Sequence, residues 1–484
     1  IGSDDDISCI GSEDLAHEGI DDDEKQLILE DHPELAQADA LLKQELDGLS
    51  PQERKEIKFD VQGLDNDGSL CCSHSLDDDQ GKIQGLLQPL SEALDNLSFT
   101  TPTYDLAKAV YSSYIKEKDF CTKFLRAEGY NVEKAAIRLN RYLEVMFEFF
   151  GPDALIRRIV MTDLNKDELA LLKSGIFQAI AGRDWSGRRI LSMDDANLPS
   201  NLSVDNVARV YLYVSQNLSD DAVTQRRGLV SISNMTTTSS NTNGTTNHLI
   251  DNASWRMAVR KIMGALPVKI AAVHVVAPEP KMTGRYKALV LLSMGCQLRP
   301  RVRFHVGARR DVRRSLNKYG LPVDQLSSYR THQKWITMMQ SKEKTQQNVG
   351  VFAGIECPNA VDVVFGKGQM NQNHSGNRGM QALIAQNYVR HYSASKVDKT
   401  CITHLIHYEI EENGGRFLKR NESLGYWIPV AKEDALKKIA KGFRDYRRKK
   451  LDKNDKSGVI GAPARATRFL DAVLEALAKR RKLD

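Results

Sequence analysis

Ala265-Leu-Pro-Val-Lys-Ile-Ala-Ala-Val-His-Val-Val276 is an apolar run stopped by Ala277-Pro278-Glu279-Pro280. Fewer than ten residues follow Pro267 before the stop, and they are rich in β-branched side chains. The run therefore predicts a buried strand rather than a helix. About thirty residues on, Arg301-Val-Arg-Phe-His-Val-Gly307 alternates outward Arg with inward Val and Phe, the pattern of a second strand. Between them Thr283 to Leu298 is long enough for a helix. Strand, helix, strand predicts a parallel pair joined by a crossover.

Working outward, Gly182-Arg-Asp-Trp-Ser-Gly187 reads as a glycine-bounded turn feeding a short strand to Met193, and Gly228-Leu-Val-Ser-Ile-Ser233 as another buried strand. Helices are predicted over Leu169 to Ala179, Val204 to Leu218 and Ser254 to Gly264, and Asn234 to His248, almost all Ser, Thr, Asn and Gly, predicts a surface loop. Upstream, Tyr104 to Ile115 and the segment around Phe120 and Phe124 read as helical. Asn131 then caps a helix from Val132 to Phe150, whose apolar residues recur at spacings of three and four until Gly151-Pro152. The fold class is α/β: a helical N-lobe, an α/β sandwich with a largely parallel sheet, and a smaller α+β domain beyond it.

Length predicts two or three domains, because single cores stop growing near roughly 250 residues. No window approaches the ~18 apolar residues of a membrane span, and the opening residues lack the basic-then-apolar pattern of a secretory signal. The expectation is a soluble, cytoplasmic protein, with a nuclear location as the alternative. The seven cysteines are never spaced as C-x-x-C pairs, which argues against a disulfide framework. Charge is divided unevenly. Residues 1–100 hold 26 acidic and 6 basic side chains, a net −20, which leaves +25 on the remaining 384. Residues 1–100 are expected to be a largely disordered acidic head, either a solvated tail or one that folds over the basic body.

Residues 331–354 read as a linker, 355–450 as a basic domain and 451–484 as a basic tail. Within the domain, Gly366-Lys-Gly368 after an apolar strand is either a tight turn or an anion cradle, short of the full P-loop spacing. Cys401, His404 and His407 fall on one side of a predicted helix, yet no fourth ligand is evident and no metal is expected. Lys437, Lys438, Lys441, Arg444, Arg447 and Arg448 lie on a basic helix, Asp434 to Lys450, with Phe443 and Tyr446 interleaved. They form a candidate patch for nucleic-acid phosphates or anionic lipid headgroups. Ala478-Lys-Arg-Arg-Lys-Leu483 has the composition of a short nuclear-import signal.

Four segments in order resemble the Sec14-like (CRAL-TRIO) lipid-binding family over residues 101–330: Phe124-Leu-Arg-Ala-Glu-Gly-Tyr-Asn-Val-Glu-Lys-Ala135, Gly182 to Ile190, Gly228-Leu-Val-Ser-Ile, and Leu266 to His274 with Val302 to Gly307 and Tyr319-Gly-Leu-Pro322. The resemblance implies an apolar pocket floored by the sheet, with Leu266, Val268, Ile270, Ala272, His274, Val302 and Phe304 on the floor. It also implies a movable gate helix over Thr283 to Leu298 carrying Tyr286, Leu289, Val290 and Met294. Val268 stands where members that hold a phosphoinositide headgroup carry glutamate, and Arg189 replaces the usual proline of the motif at Gly182. Asn359-Ala-Val-Asp362-Val-Val-Phe-Gly366, Asn373-His-Ser-Gly-Asn377, Gly414-Gly-Arg-Phe-Leu-Lys419 and Trp427 resemble an uncharacterised domain family abundant in diatom proteins over residues 355–448.

No Ser/His/Asp arrangement, carboxylate pair or metal triad stands out, so no catalytic residue, cofactor or enzyme activity is expected. The leading expectation is a binding or transfer protein for a lipid or other small hydrophobic molecule, docking transiently on anionic membranes. The alternative is a nuclear nucleic-acid-binding regulator acting through the C-terminal domain.

Overall fold

A computed structural model describes residues 33–63, 80–97, 102–195, 203–234, 249–277, 280–322, 329–348, 354–366, 369–372, 374–423 and 425–457. The loop expected at 234–248, all but Asn234, together with Lys367, Gly368 and the basic sequence at 478–483, lies outside them; Asn234 ends a strand. The chain is a mixed α/β protein with two sheets. The larger has five strands: β1 (Phe177–Arg183), β2 (Arg189–Asp194), β3 (Leu229–Asn234), β4 (Ile270–Ala277) and β5 (Val302–Val306). They lie side by side in sequence order, β1 antiparallel to β2 and the rest parallel. Each parallel step therefore needs a helical crossover. Helices Val204–Leu218 and Ala222–Arg227 link β2 to β3, Ala253–Ala265 links β3 to β4, and Pro280–Ser293 links β4 to β5.

The expected helix over Leu169 to Ala179 is a shorter helix followed by β1. Asn165 and Glu168 close a capping box that starts helix Lys166–Ser174, and Gly175 ends it in the left-handed conformation at φ 78°. Phe177, Ala179 and Ile180 are then free to bury themselves in the sheet. The N-lobe helices Pro102–Lys116, Lys118–Ala127 and Val132–Phe150 follow the expected order, with the Asn131 side chain accepting from the backbone N–H of Lys134. Along the last of them Ala135, Ala136, Leu139, Leu143 and Met146 are buried, whereas Phe147 is exposed.

Two further expectations are corrected. Helix Pro33–Asp47 coincides with the short helix that the sequence allows over Glu34 to Leu46, but residues 51–62 and 80–97 of the acidic head are helices as well. Ser50 and Glu53 form a capping box with Pro51 at the first helical position, so this stretch carries its own start signal. Residues 329–347 form a helix that is part of the core rather than a linker, burying Trp335, Ile336, Met338 and Met339 with the sheet residues.

The smaller sheet contains β6 (Val363–Phe365), β7 (Phe417–Arg420) and β8 (Trp427–Pro429), with β6 parallel to β7 and β7 antiparallel to β8. Helices Ser375–Ser393, Lys396–Glu412 and Lys432–Ser457 complete a separate core of Val363, Met380, Ile384, Ile402, Ile406, Phe417 and Ile439. The motif residues of this unit hold its backbone together. Asp362 is fully buried and receives the Arg416 backbone N–H at 2.9 Å and its guanidinium at 2.8 Å. Asn377 accepts from the N–H of Val364 and donates to the carbonyls of Val364 and Asn371, extending the edge of β6. A Cβ at Gly376 would stand 2.1 Å from the Asp362 carbonyl oxygen, so the helix can approach only without a side chain there. Replacing Gly376→Ala should destabilise the C-terminal unit by more than about 3 kcal/mol in urea unfolding. Exposed Gly379→Ala in the same helix has nothing within 4 Å and should stabilise it by about 0.5–1 kcal/mol.

Candidate functional site

β4 is buried along both faces, which places its side chains in two environments. Strand alternation alone would put Ile270, Ala272 and His274 together. Instead the pairing with β3 shifts by one residue between Leu229/Ile270 and Val230/Ala272, leaving an extra residue at Ala271. Ile270, Val273 and Val275 therefore join one core, and Ala272 joins the other. Of the expected floor residues, Ile270, Val302 and Phe304 share the first face with Val273 and Val275. Leu266 and Val268 are buried in the same core but precede the strand. Ala272 and His274 lie on the opposite face, a correction that the bulge explains.

Helix Pro280–Ser293 lies over the first face. The expected gate residues Tyr286, Leu289, Val290 and Met294 are all buried, as are Ala288 and Leu291 between them. One apolar stripe would bury every third or fourth residue; here four consecutive residues, Ala288 to Leu291, are buried. The helix is thus covered on more than its sheet side: helix Pro33–Asp47 of the acidic head packs over it and helix Ala253–Ala265 lies against it. Its C-terminal end is held by Arg299, which donates to the carbonyls of Leu291 at 2.9 Å and Met294 at 3.0 Å. Glu45 of the head forms an ion pair with Arg299. Asp60 accepts from Arg301 at 2.8 Å and lies 2.6 Å from the Lys269 ammonium. No local motif marks these three ion pairs; the opposed charges of head and body are their only signal in the sequence.

On the opposite face His274, His305 and Ser315 form a buried relay. Nδ1 of His274 is 2.8 Å from Nε2 of His305, whose Nδ1 is 2.8 Å from the Ser315 hydroxyl. The Tyr319 ring stands edge-on to both imidazoles. Burial pushes His305 down to about 4, and burial, His305, Arg188 and Arg303 push His274 well below its ordinary value. Both are neutral packing residues at neutral pH.

In the C-terminal unit Lys437, Lys441, Arg444 and Arg448 are exposed and share one side of helix Lys432–Ser457. Lys437 and Arg448 pair locally with Asp434 and Asp445. Lys438 and Arg447 turn away to either side, over the rings of Phe365 and Tyr392. Four of the six expected patch residues thus form a stripe, while half-buried Lys438 packs on Phe365 and exposed Arg447 lies over the exposed Tyr392 ring. His407 is buried, stacked on Phe417 and beside Glu411. Cys401 is exposed, and among the described residues no three potential ligands converge on a metal position.

Residues 362–445 match the family model of a domain of unknown function (DUF6824). The match spans β6 to the basic helix and takes in Asp362, Gly376, Asn377 and Arg416; it does not include the five-stranded sheet. No curated protein matches the chain. No helix among the described residues is long and apolar enough to cross a membrane.

The relay makes stability depend on pH with a definite sign. Unfolded imidazoles titrate near ~6.5, so between there and about 4 the unfolded chain binds protons that the folded chain excludes. Stability should fall as pH drops through that window, by on the order of 1 kcal/mol per pH unit for each imidazole. Urea unfolding at pH 7 and pH 5 measures the slope; burial also pushes His332 and His374 down, so His274→Phe should reduce the slope without abolishing it.

Proposed function

We propose that the chain is a Sec14-like protein that binds or transfers a lipid or another small hydrophobic molecule and docks on anionic membranes, without catalysing a reaction. The observation carrying this reading is helix Pro280–Ser293, whose consecutive buried residues lie on an apolar sheet face and join two adjacent parallel strands. In the closed arrangement Tyr286, Leu289, Val290 and Met294 occupy the space that a ligand would take. Outward movement of the helix would expose the face of Ile270, Val273, Val275, Val302 and Phe304. Burial there yields about 25 cal/mol per Å² of apolar surface, the main source of affinity for a lipid, and the buried Lys287 ammonium lies over the Phe304 ring beside that face.

The helical N-lobe ahead of a largely parallel sheet supports the family reading, which the sequence resemblance first raised. The DUF6824 match lends it nothing, since it covers a different unit. Val268 is buried in the apolar core, so the position offers no carboxylate to an inositol headgroup. The basic stripe Lys437, Lys441, Arg444 and Arg448 fits anionic lipid headgroups and equally the phosphates of nucleic acid, the basis of a second reading as a nucleic-acid-binding regulator.

Mass spectrometry of organic extracts from the purified full chain tests the first reading. The expected result is one lipid or other hydrophobic molecule per chain, together with uptake of fluorescent lipid from vesicles that Val290→Asp reduces by at least about tenfold. An empty protein that takes up no lipid would leave the nucleic-acid reading as the better one.

A further inference from the structure

We propose that residues 33–62 are an intramolecular substitute for an anionic surface: they cover a cationic rim beside helix Pro280–Ser293, and an anionic bilayer is the partner that displaces them. The proposal rests on the reading of that helix as a lid and adds where the membrane contacts it and what keeps the contact closed.

The rim consists of Lys269 at the start of β4 and Arg299 and Arg301 in the turn between the lid and β5. Two carboxylates of the head face these three cations, Glu45 on Arg299 and Asp60 on Lys269 and Arg301. Asp60 is itself buried, and Arg299 and Arg301 are largely covered beneath the head, whereas Lys269 keeps 38% of its side chain exposed. Arg188, whose charge is already paired with Asp184, also donates to the Asp60 main-chain carbonyl and fixes the end of the head helix. Anionic headgroups present the same chemistry, oxygen acceptors bearing negative charge, and can replace these acceptors one for one.

The apolar part of the attachment is smaller than the lid's. On helix Pro33–Asp47 Ala38 joins the main core and Leu42 and Leu46 make a separate cluster with Leu49, while on helix Pro51–Gln62 Ile57 and Val61 are buried where that helix packs against β4. The lid contributes Tyr286, Ala288, Leu289, Val290 and Leu291 to the main core. Residues 33–62, with one residue in that core against the lid's five, are the layer that leaves first. Because Arg299 also holds the C-terminal carbonyls of the lid, exchange of its Glu45 partner for a lipid headgroup acts directly on the lid's anchored end.

Cosedimentation of the full chain with vesicles at physiological salt tests the proposal, comparing phosphatidylcholine alone with phosphatidylcholine containing phosphatidylserine. Each freed cation is worth about fivefold at such a surface. Glu45→Gln with Asp60→Asn should tighten binding to the phosphatidylserine vesicles by at least about tenfold and leave phosphatidylcholine binding unchanged. Adding Lys269→Gln, Arg299→Gln and Arg301→Gln, which removes all three rim cations, should abolish the gain. No gain in a double variant with the wild-type circular dichroism spectrum, or a gain that survives loss of the rim, would overturn the proposal.

Should the double variant not fold, tryptic cleavage of the wild-type chain at Lys43, Lys55 and Lys58 decides. It should accelerate several-fold with phosphatidylserine vesicles; no acceleration, or acceleration by an oligonucleotide and not by vesicles, would overturn it. Neither assay reads lipid uptake. Failure here alongside a co-extracted lipid would leave the pocket standing, and head release without lipid uptake would leave the docking surface and remove the pocket.

Discussion

β4 has no solvent face. It has β3 on one side and β5 on the other, and seven of its eight residues are buried. Each face must be covered by something else in the chain, and the rest of the larger unit is arranged by that requirement. Helices Ala253–Ala265 and Pro280–Ser293 cover one face, and helix Arg309–Lys318 covers the other through Val312 and Leu316. The crossovers are right for the task because a parallel neighbour cannot be reached by a tight turn.

Charge then determines how the flanking pieces attach. Lys269 and Arg301, at the beginnings of β4 and β5, face Asp60 of the head. Arg189 at the beginning of β2 is 1% exposed and donates to Glu356 at 2.6 Å; Glu356 also accepts from the Trp335 indole at 2.8 Å. Arg183 at the end of β1 donates to the Pro358 carbonyl. The sheet thus meets both the acidic head and the segment leading to the second unit through arginines. Guanidinium groups suit such positions, since several fixed donors can satisfy a carboxylate and a carbonyl at once.

Much of this fold was legible in the sequence. The strands at Gly228 and Arg301, the crossover between the last two strands and the Asn131-capped helix all follow from periodicity and end signals. What was missed has physical causes. The phase of β4 depends on one extra residue at Ala271, which no pattern in Ile270 to Val276 announces, so simple alternation puts His274 on the wrong face. The strand at Phe177 was absorbed into a helix because apolar residues continue across Gly175. Acidic composition outweighed the Ser50-Pro-Gln-Glu53 capping signal, although the helix it starts is stabilised by cations far away in the sequence. Of the basic patch, the helix was readable, but not which lysines and arginines turn onto neighbouring rings.

The central claim is that helix Pro280–Ser293 is a lid on β4 rather than a fixed layer of the core. Hydrogen exchange measured on the full chain, with and without lipid vesicles, tests it most directly. A lid exchanges its amides across 280–293 much faster than those of β4, and lipid loading changes the exchange of the helix while β4 stays protected. Exchange of the helix and β4 at one common rate, unaltered by vesicles, would contradict it.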